Sequence, residues 1–479
     1  MQVVKESLYI DGRWVAPSEC QEFISVIDPS TEEEIAQVAC AGGTDVEKAL
    51  QAARRAFASF SQTTPQERLE LLRALLDAYR KRKAAIAEAM TAEVGIPCSF
   101  SEPVQAAIGE RHLETIIKVL REYEFEEELG STQIIREPVG VCALISPWNW
   151  PMNQVVVKVA PALAAGCTMV LKPSQLSPLS TLLFAEAVHE AGVPAGVFNL
   201  LNGPGSHLGQ VLASHPAVDM VSVTGSTEVG AAVARAAADT IKRVSQELGG
   251  KSAYIVFEDV DLEKVVAAGV RNCMRNSGQS CNAPTRMLVA ESTYDQAVEI
   301  AARTASALKV GDPRDPDTFL GPVAGKKQYE TVLDYIRSGI AEGARLVAGG
   351  PERPEGLERG YYVRPTVFAD VTNNMRIARE EIFGPVLCIM RFRDEDEAVA
   401  IANDSDYGLS GYVSSRDLER ARRVARKLRT GMVHLNGALP DMFAPFGGYK
   451  KSGNGREWGR FGLEEFLEVK AIMGYRPFK

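Results

Sequence analysis

From residue 140 onward, short apolar runs alternate with longer amphipathic ones. Residues 141–145, 168–171, 197–201 and 220–223 are almost wholly apolar, and between them residues 154–165, 180–191 and 206–213 carry apolar positions at helical spacing. Apolar runs of strand length, interleaved with helices, predict a parallel sheet covered on both faces. Such α/β sheets bind ligands at the carboxyl ends of their strands. A second alternating series follows Ser252, with strands at 253–257 and 286–290, a helix from 262 to about 275 and another over 294–308.

The first third of the chain reads differently. Residues 8–40 are strand-rich, with an Asp11-Gly12 turn between 8–10 and 14–15. Two helices follow, each with a predicted capping box: Thr44 with Glu47, then Thr64 with Glu67, where Pro65 takes the first helical position. Behind the second box, Leu69, Leu72, Leu76, Tyr79, Ile86 and Met90 form a core-facing stripe. Residues 122–129 and 133–136, around Gly130-Ser131-Thr132, predict a two-stranded ribbon. A ribbon is marginal alone and must pack on something, a second subunit being one candidate. A late strand is expected at 466–470.

Bulk properties narrow the function classes. A chain of 479 residues exceeds one ordinary core. Its 62 acidic and 53 basic residues are spread without single-sign blocks, so it lacks the basic face of a nucleic-acid binder. The cysteines (20, 40, 98, 142, 167, 273, 281 and 388) include no C-x-x-C pair, which argues against a metal site and for reduced thiols. The start of the chain lacks a signal-peptide pattern. The most apolar stretch, 155–171, contains Lys158 and Pro161 and is no membrane span. A soluble cytoplasmic protein without metal is expected.

Candidate chemistry centres on residues 276–286. There Cys281 sits in a Gly-containing turn among Gln279, Ser280 and Asn282, polar company that suits an exposed, reactive sulfur. Such a thiol needs a base, an oxyanion site and an electron acceptor. Gly203-Pro204-Gly205 with Gly209 is not the dinucleotide fingerprint. The turn Thr224-Gly225-Ser226, leading into a helix over 227–238, is a better anion site, because it offers backbone N–H groups and a hydroxyl at a helix N-terminus.

Several stretches occur together in order. They are Ser146-Pro147-Trp148-Asn149-Trp150-Pro151, Lys172-Pro173-Ser174, Thr224-Gly225-Ser226, Glu247-Leu248-Gly249-Gly250-Lys251 and Gly278-Gln279-Ser280-Cys281. Glu381-Ile382-Phe383-Gly384-Pro385 and Pro445-Phe446-Gly447-Gly448-Tyr449-Lys450-Lys451-Ser452-Gly453 complete the set. On these motifs the chain resembles the aldehyde dehydrogenase superfamily, from about residue 8 to about 475.

The resemblance implies a fold of two doubly wound parallel-sheet domains. A Rossmann-like cofactor-binding domain would occupy 1–119 and 140–249, and a catalytic domain 250–451. A small β oligomerisation element would occupy 120–139 and 452–479. It implies oxidation of an aldehyde to its acid by NAD or NADP. Cys281 attacks as thiolate, Asn149 and the Cys281 N–H stabilise the oxyanion, hydride passes to nicotinamide, and Glu247 activates water against the thioester. Asn149 lies between two tryptophans that could orient it. Lys158 and Glu457 match the family's proposed proton-relay positions; a Lys and a Glu near helix ends are otherwise ordinary solvated groups. For Glu247 the plain alternative is a solvated carboxylate at a helix end.

The implied cofactor set is Ser146, Trp148, Lys172, Ser174, Gln175, Gly205, Gly225, Ser226, Leu248, Glu381 and Phe383. Gln175 departs from the glutamate of many NAD-preferring members, and a neutral amide there admits NADP beside NAD. Trp150, Phe443 and Phe446 match tunnel-lining positions and point to an apolar or aromatic aldehyde. Arg275 either anchors a substrate carboxylate or points to solvent, the latter favoured. A homotetramer built from dimers, or a homodimer, is implied. The rivals are a CoA-acylating relative, which often lacks the Glu base, a cysteine hydrolase needing a histidine base, and a non-catalytic protein on the same fold.

Overall fold

A computed structural model of the chain describes residues 3–19 and 22–476, so Cys20 lies outside the described residues. The first of two seven-stranded sheets runs Arg243–Glu247, Met220–Thr224, Val141–Ile145, Thr168–Lys172, Phe198–Leu200, Leu8–Ile10, Arg13–Val15. Its five leading strands are parallel and its last two antiparallel. The apolar runs are buried on both faces. Along Val141–Ile145, Cys142 and Leu144 face one core while Val141, Ala143 and Ile145 face another. This two-sided burial is why these strands read as unbroken apolar segments.

The second sheet runs Arg345–Ala348, Thr366–Ala369, Val386–Phe392, Arg286–Ala290, Ala253–Val256, Ser410–Ser414, Met432–Leu435, parallel except at its first strand. It divides its side chains the same way: Leu288 and Ala290 enter one core, Met287 and Val289 the other. The expected parallel sheets therefore both carry antiparallel strands at an edge. On the first sheet these come from the strand-rich opening, whose short strands pair with whatever edge is open.

The helix Pro65–Val94 begins with the predicted box. Glu67 accepts the Thr64 N–H at 2.6 Å and Thr64 Oγ1 accepts the Glu67 N–H at 3.2 Å. It ends at Gly95, whose φ of 80° suits a residue without a side chain. All six stripe residues are buried. The box expected at Thr44 and Glu47 does not form. The helix Gly43–Phe60 starts two residues earlier, with Asp45 accepting the Gly42 N–H at 3.0 Å, while the Thr44 N–H goes to Glu19. Aspartate at the third helical position does the work assigned to Glu47.

The ribbon forms from Glu126–Leu129 and Thr132–Pro138, and the late strand Leu467–Ile472 adds to it antiparallel. Leu129, Val469, Met473 and Tyr475 stand exposed there. Among the described residues no helix is long and apolar enough to cross a membrane, and no group of three or more His, Cys, Asp or Glu could hold a metal ion.

Candidate active site

A cleft of about 1060 Å³ is lined by residues from both large sheets. All eleven residues implied for the cofactor line it, together with Asn149 and Cys281. The first sheet contributes segments that follow its strands: Ser146 to Trp150 after Val141–Ile145, Lys172 at the end of its strand, and Gly225 and Ser226 after Met220–Thr224. The second contributes segments that precede strands, Cys281 before Arg286–Ala290 and Glu381 and Phe383 before Val386–Phe392.

Helix caps explain why an anion would favour the first sheet. On the second sheet, Asp261, Asp394 and Asp417 cap three of the helices that follow strands, each accepting a helix N–H, whereas the helix Tyr294–Ser306 has no side-chain cap. Those three positive helix ends already hold a carboxylate. The helix Thr227–Ala237 is capped by the neutral hydroxyl of Ser226, which accepts the Val229 N–H at 3.3 Å, so its charge stays available to a diphosphate.

The donors present fit a dinucleotide. The buried hydroxyls of Ser146 and Thr224 have no protein partner. Lys172 Nζ donates to Pro173 O at 2.9 Å, and burial pulls its pKa down to about 8. Glu381 accepts the Gly250 N–H at 2.9 Å, and burial raises its carboxyl to about 7. A Cβ on Gly249 would lie 2.1 Å from Glu381 Oε2, so glycine there is what admits the carboxylate. Trp148 packs edge-on against Phe383, ring centres 5.5 Å apart.

Cys281 is half-buried. Burial, then the carboxylates of Glu381, Glu247 and Glu457, push its thiol pKa up, while the Asn282 N–H opposes them. Asn149 is buried, and its Nδ2 donates to Gln279 O at 3.0 Å. The two tryptophans do not orient it. Trp150 instead donates its indole N–H to Ser280 Oγ at 2.8 Å. Asn149 is gripped by Gln105, Asn276 and Gln279, of which Asn276 and Gln279 stand in the singled-out stretch without an assigned role and Gln105 went unnoticed.

Glu247 ends a strand rather than a helix and is 3 % exposed. Neither carboxylate oxygen has a protein partner. Burial, then the charge of Glu457, hold its pKa well above the ordinary carboxyl range, with Lys158 and Arg456 opposing. Lys158 and Glu457 are not solvated: they pair at 2.5 Å in the interior, and Lys158 Nζ also meets Ser222 Oγ at 3.2 Å.

The implied substrate positions divide. Phe446 is buried in a small cluster with Val157, Leu409 and Trp458, against which Cys281 packs. Trp150 packs on Phe100 at 5.4 Å, and the exposed Arg275 guanidinium lies 5.5 Å from the Phe100 ring. Phe443 is 47 % exposed, with Lys118 Nζ 5.9 Å from its ring. No described histidine lines the cleft, so the hydrolase reading lacks its base.

Comparison with known proteins adds a family. Residues 14–472 match the model of the aldehyde dehydrogenase family. A Pseudomonas protein named 3-succinoylsemialdehyde-pyridine dehydrogenase is 57% identical over 468 residues, covering 98% of each chain. A crystal structure of a mutant aldehyde dehydrogenase C from Pseudomonas syringae, complexed with NAD+ and octanal, superposes with a TM-score of 0.97 at 51% identity, covering 98% of this chain and 97% of that one. Betaine aldehyde dehydrogenase from Staphylococcus aureus with NAD+ superposes at 0.95 with 37% identity, covering 99% of this chain and 95% of that one.

Proposed function

The chain belongs to the aldehyde dehydrogenase family and oxidises aldehydes with NAD(P)+, and from that premise we propose that Cys281 is its nucleophile, Asn149 its oxyanion donor and Glu247 its hydrolytic base. The observation that carries this reading is the meeting of Cys281 and Asn149 in the same cleft that gathers the dinucleotide donors. The Cys281 thiolate, its proton already lost, adds to the aldehyde carbon, and the oxygen that gains charge takes the free N–H of the Asn149 amide and the Cys281 backbone N–H. NAD(P)+, when bound, supplies the acceptor for the aldehyde hydrogen and its two electrons. The thioester left on Cys281 is then open to water.

Glu247 suits the water-activating role. A carboxylate whose pKa is pushed upward by burial binds a proton more strongly than an ordinary glutamate, which suits a general base. Its unpartnered oxygens favour water over CoA as the acyl acceptor. Lys158 and Glu457 would relay protons between Glu247 and solvent.

Around the cofactor, Ser226 and Trp148 would lie against the diphosphate, Lys172, Ser174 and Gln175 at the adenosine ribose, and Glu381 with Phe383 at the nicotinamide ribose. Ser146, Gly205, Gly225 and Leu248 would shape the walls. We assign 1–119 with 140–249 to the cofactor-binding domain, 250–451 to the catalytic domain, and 120–139 with 452–479 to oligomerisation. A cytoplasmic homotetramer is the assembly this reading favours. The exposed apolar residues beside the Leu467–Ile472 edge support it. Light scattering of the protein and of Val469→Glu checks it: a monomer before mutation refutes it.

The substrate favoured is an apolar or aromatic aldehyde, with Phe446, Trp150 and Phe100 offering apolar wall and Phe443 and Arg275 further out. Formation of reduced cofactor over aliphatic, aromatic and carboxylate-bearing aldehydes, with and without CoA, tests the whole reading. Turnover is expected without CoA and to vanish in Cys281→Ala while cofactor still binds. Turnover surviving in that variant overturns it. A preference for carboxylate-bearing aldehydes, lost in Arg275→Ala, would give Arg275 the anchoring role over the solvent one.

A further inference from the structure

The grip on Asn149 is unusual in its construction. Asn276 Nδ2 donates to the Asn149 backbone carbonyl at 2.8 Å and to Gln279 O at 3.2 Å. Asn276 Oδ1 in turn accepts from Gln105 Nε2 at 3.0 Å, which also reaches Asn149 O at 3.5 Å. Gln279 Nε2 returns to Asn276 O at 3.1 Å, and its Oε1 accepts the Ala324 N–H at 2.9 Å. Gln105, Asn149, Asn276 and Gln279 are all at most 3 % exposed. One atom, Gln279 O, receives both the Asn149 and Asn276 amides, and it lies two residues before the nucleophile.

This arrangement is held against local preference. Asn276, Ser277 and Gly278 have φ of 56°, 54° and 72° in succession. A non-glycine residue in the left-handed region costs about 1–3 kcal/mol and persists only where its surroundings enforce it. Here Ser277 Oγ donates to Gly321 O at 2.8 Å, and a Cβ on Gly278 would lie 2.0 Å from Gly384 O. Gln105 projects from a π-helical segment, Ser101–Ala106, a form that recurs at functional sites. Its Oε1 is buried without a partner. Such strain and an unmet acceptor are poor stabilising devices. They make sense as the cost of placing one group accurately.

We propose that Gln105 and Asn276 are positioning residues that, by holding the Asn149 backbone carbonyl, seat the Asn149 amide on the backbone of the nucleophile turn. With one Asn149 N–H committed to Gln279 O, the amide plane is set, and the second N–H stands in a fixed direction relative to Cys281. The oxyanion donor and the nucleophile thus move as one unit, tied to the π-helical segment behind them. The inference rests on the reading of Asn149 as the oxyanion donor.

A double-mutant cycle tests it, with kcat, KM and cofactor affinity measured for wild type, Gln105→Met, Asn149→Ala and the pair. Asn149→Ala is expected to lower kcat by 10²–10³, the usual effect of removing an oxyanion donor. Gln105→Met should lower kcat by about tenfold, with KM and cofactor affinity within about twofold. In the Asn149→Ala background the same change should cost less than about twofold, because it acts through Asn149. Independent, multiplying losses overturn the inference, as does an unchanged kcat in Gln105→Met. An unchanged kcat in Asn149→Ala instead overturns the oxyanion reading itself. Asn276→Gly keeps the left-handed backbone without the amide and repeats the cycle should Gln105→Met fail to fold.

Discussion

Removing either member of the Lys158–Glu457 pair should shift the pH dependence of acyl-enzyme hydrolysis in opposite directions. The pair is buried at 2.5 Å, with side chains 1% and 7% exposed. At an effective dielectric near 20, its attraction is at most about 7 kcal/mol before desolvation. Breaking such a pair from one side leaves an uncompensated buried charge and costs about 3–5 kcal/mol. Lys158→Met should therefore lower the urea midpoint clearly, and Lys158→Met with Glu457→Leu should recover part of the loss. The kinetic sign follows from what faces Glu247. Glu457 and Glu465 raise its pKa beside burial, and Lys158 and Arg456 lower it. Glu247 acts as base when deprotonated, so the rate rises with pH through its raised pKa. Lys158→Met removes a lowering charge and moves that rise to higher pH. Glu457→Gln removes a raising charge and moves it to lower pH. The assay is kcat from pH 5 to 10, under conditions where a burst of reduced cofactor shows that hydrolysis limits turnover. A shift in the same direction for both variants, or none, would refute Glu247 as the titrating base.

Gln175 offers a cofactor test. Gln175→Glu should cut kcat/KM for NADP by about tenfold or more through repulsion of the 2′-phosphate, and leave NAD within about threefold. A wild type that strongly prefers NAD sinks the case for dual use. Cys281→Ala should lose turnover while binding cofactor, Val469→Glu should disrupt the oligomer seen by light scattering, and losses in kcat at Gln105 and Asn149 should be non-additive.

What the sequence made legible was local. Strand–helix alternation announced both sheets because a strand buried on two faces, like Val141–Ile145, is apolar throughout. The Thr64 box and its stripe were legible for the same reason: partners lie three or four residues apart. The misread Thr44 box shows the limit of that logic. Two helix starts compete there, one with Asp45 accepting the Gly42 N–H and one with Thr44 and Glu47, and Glu19, which comes from outside the helix, takes the Thr44 N–H. The burial of Lys158 and Glu457 was equally invisible. They lie 299 residues apart, and nothing near either one announces the other.

The candidate site divides along the same line. Motifs are visible where a backbone turn and a side chain do their work together, as in Thr224-Gly225-Ser226 or the turn around Cys281. Asn149 stands in such a motif, and its tryptophan neighbours suggested a clamp. Yet adjacent residues on a loop point apart, and Trp148 and Trp150 turn to Phe383 and to Ser280. The grip comes from Asn276 and from Gln105, 127 and 44 residues away. Asn276 left one trace: Asn and Gly, on either side of Ser277, tolerate left-handed backbone better than most residues. Gln105 left none, because a buried amide's value lies wholly in the partner it meets. A reading from sequence therefore finds the groups that touch substrate before it finds the groups that aim them.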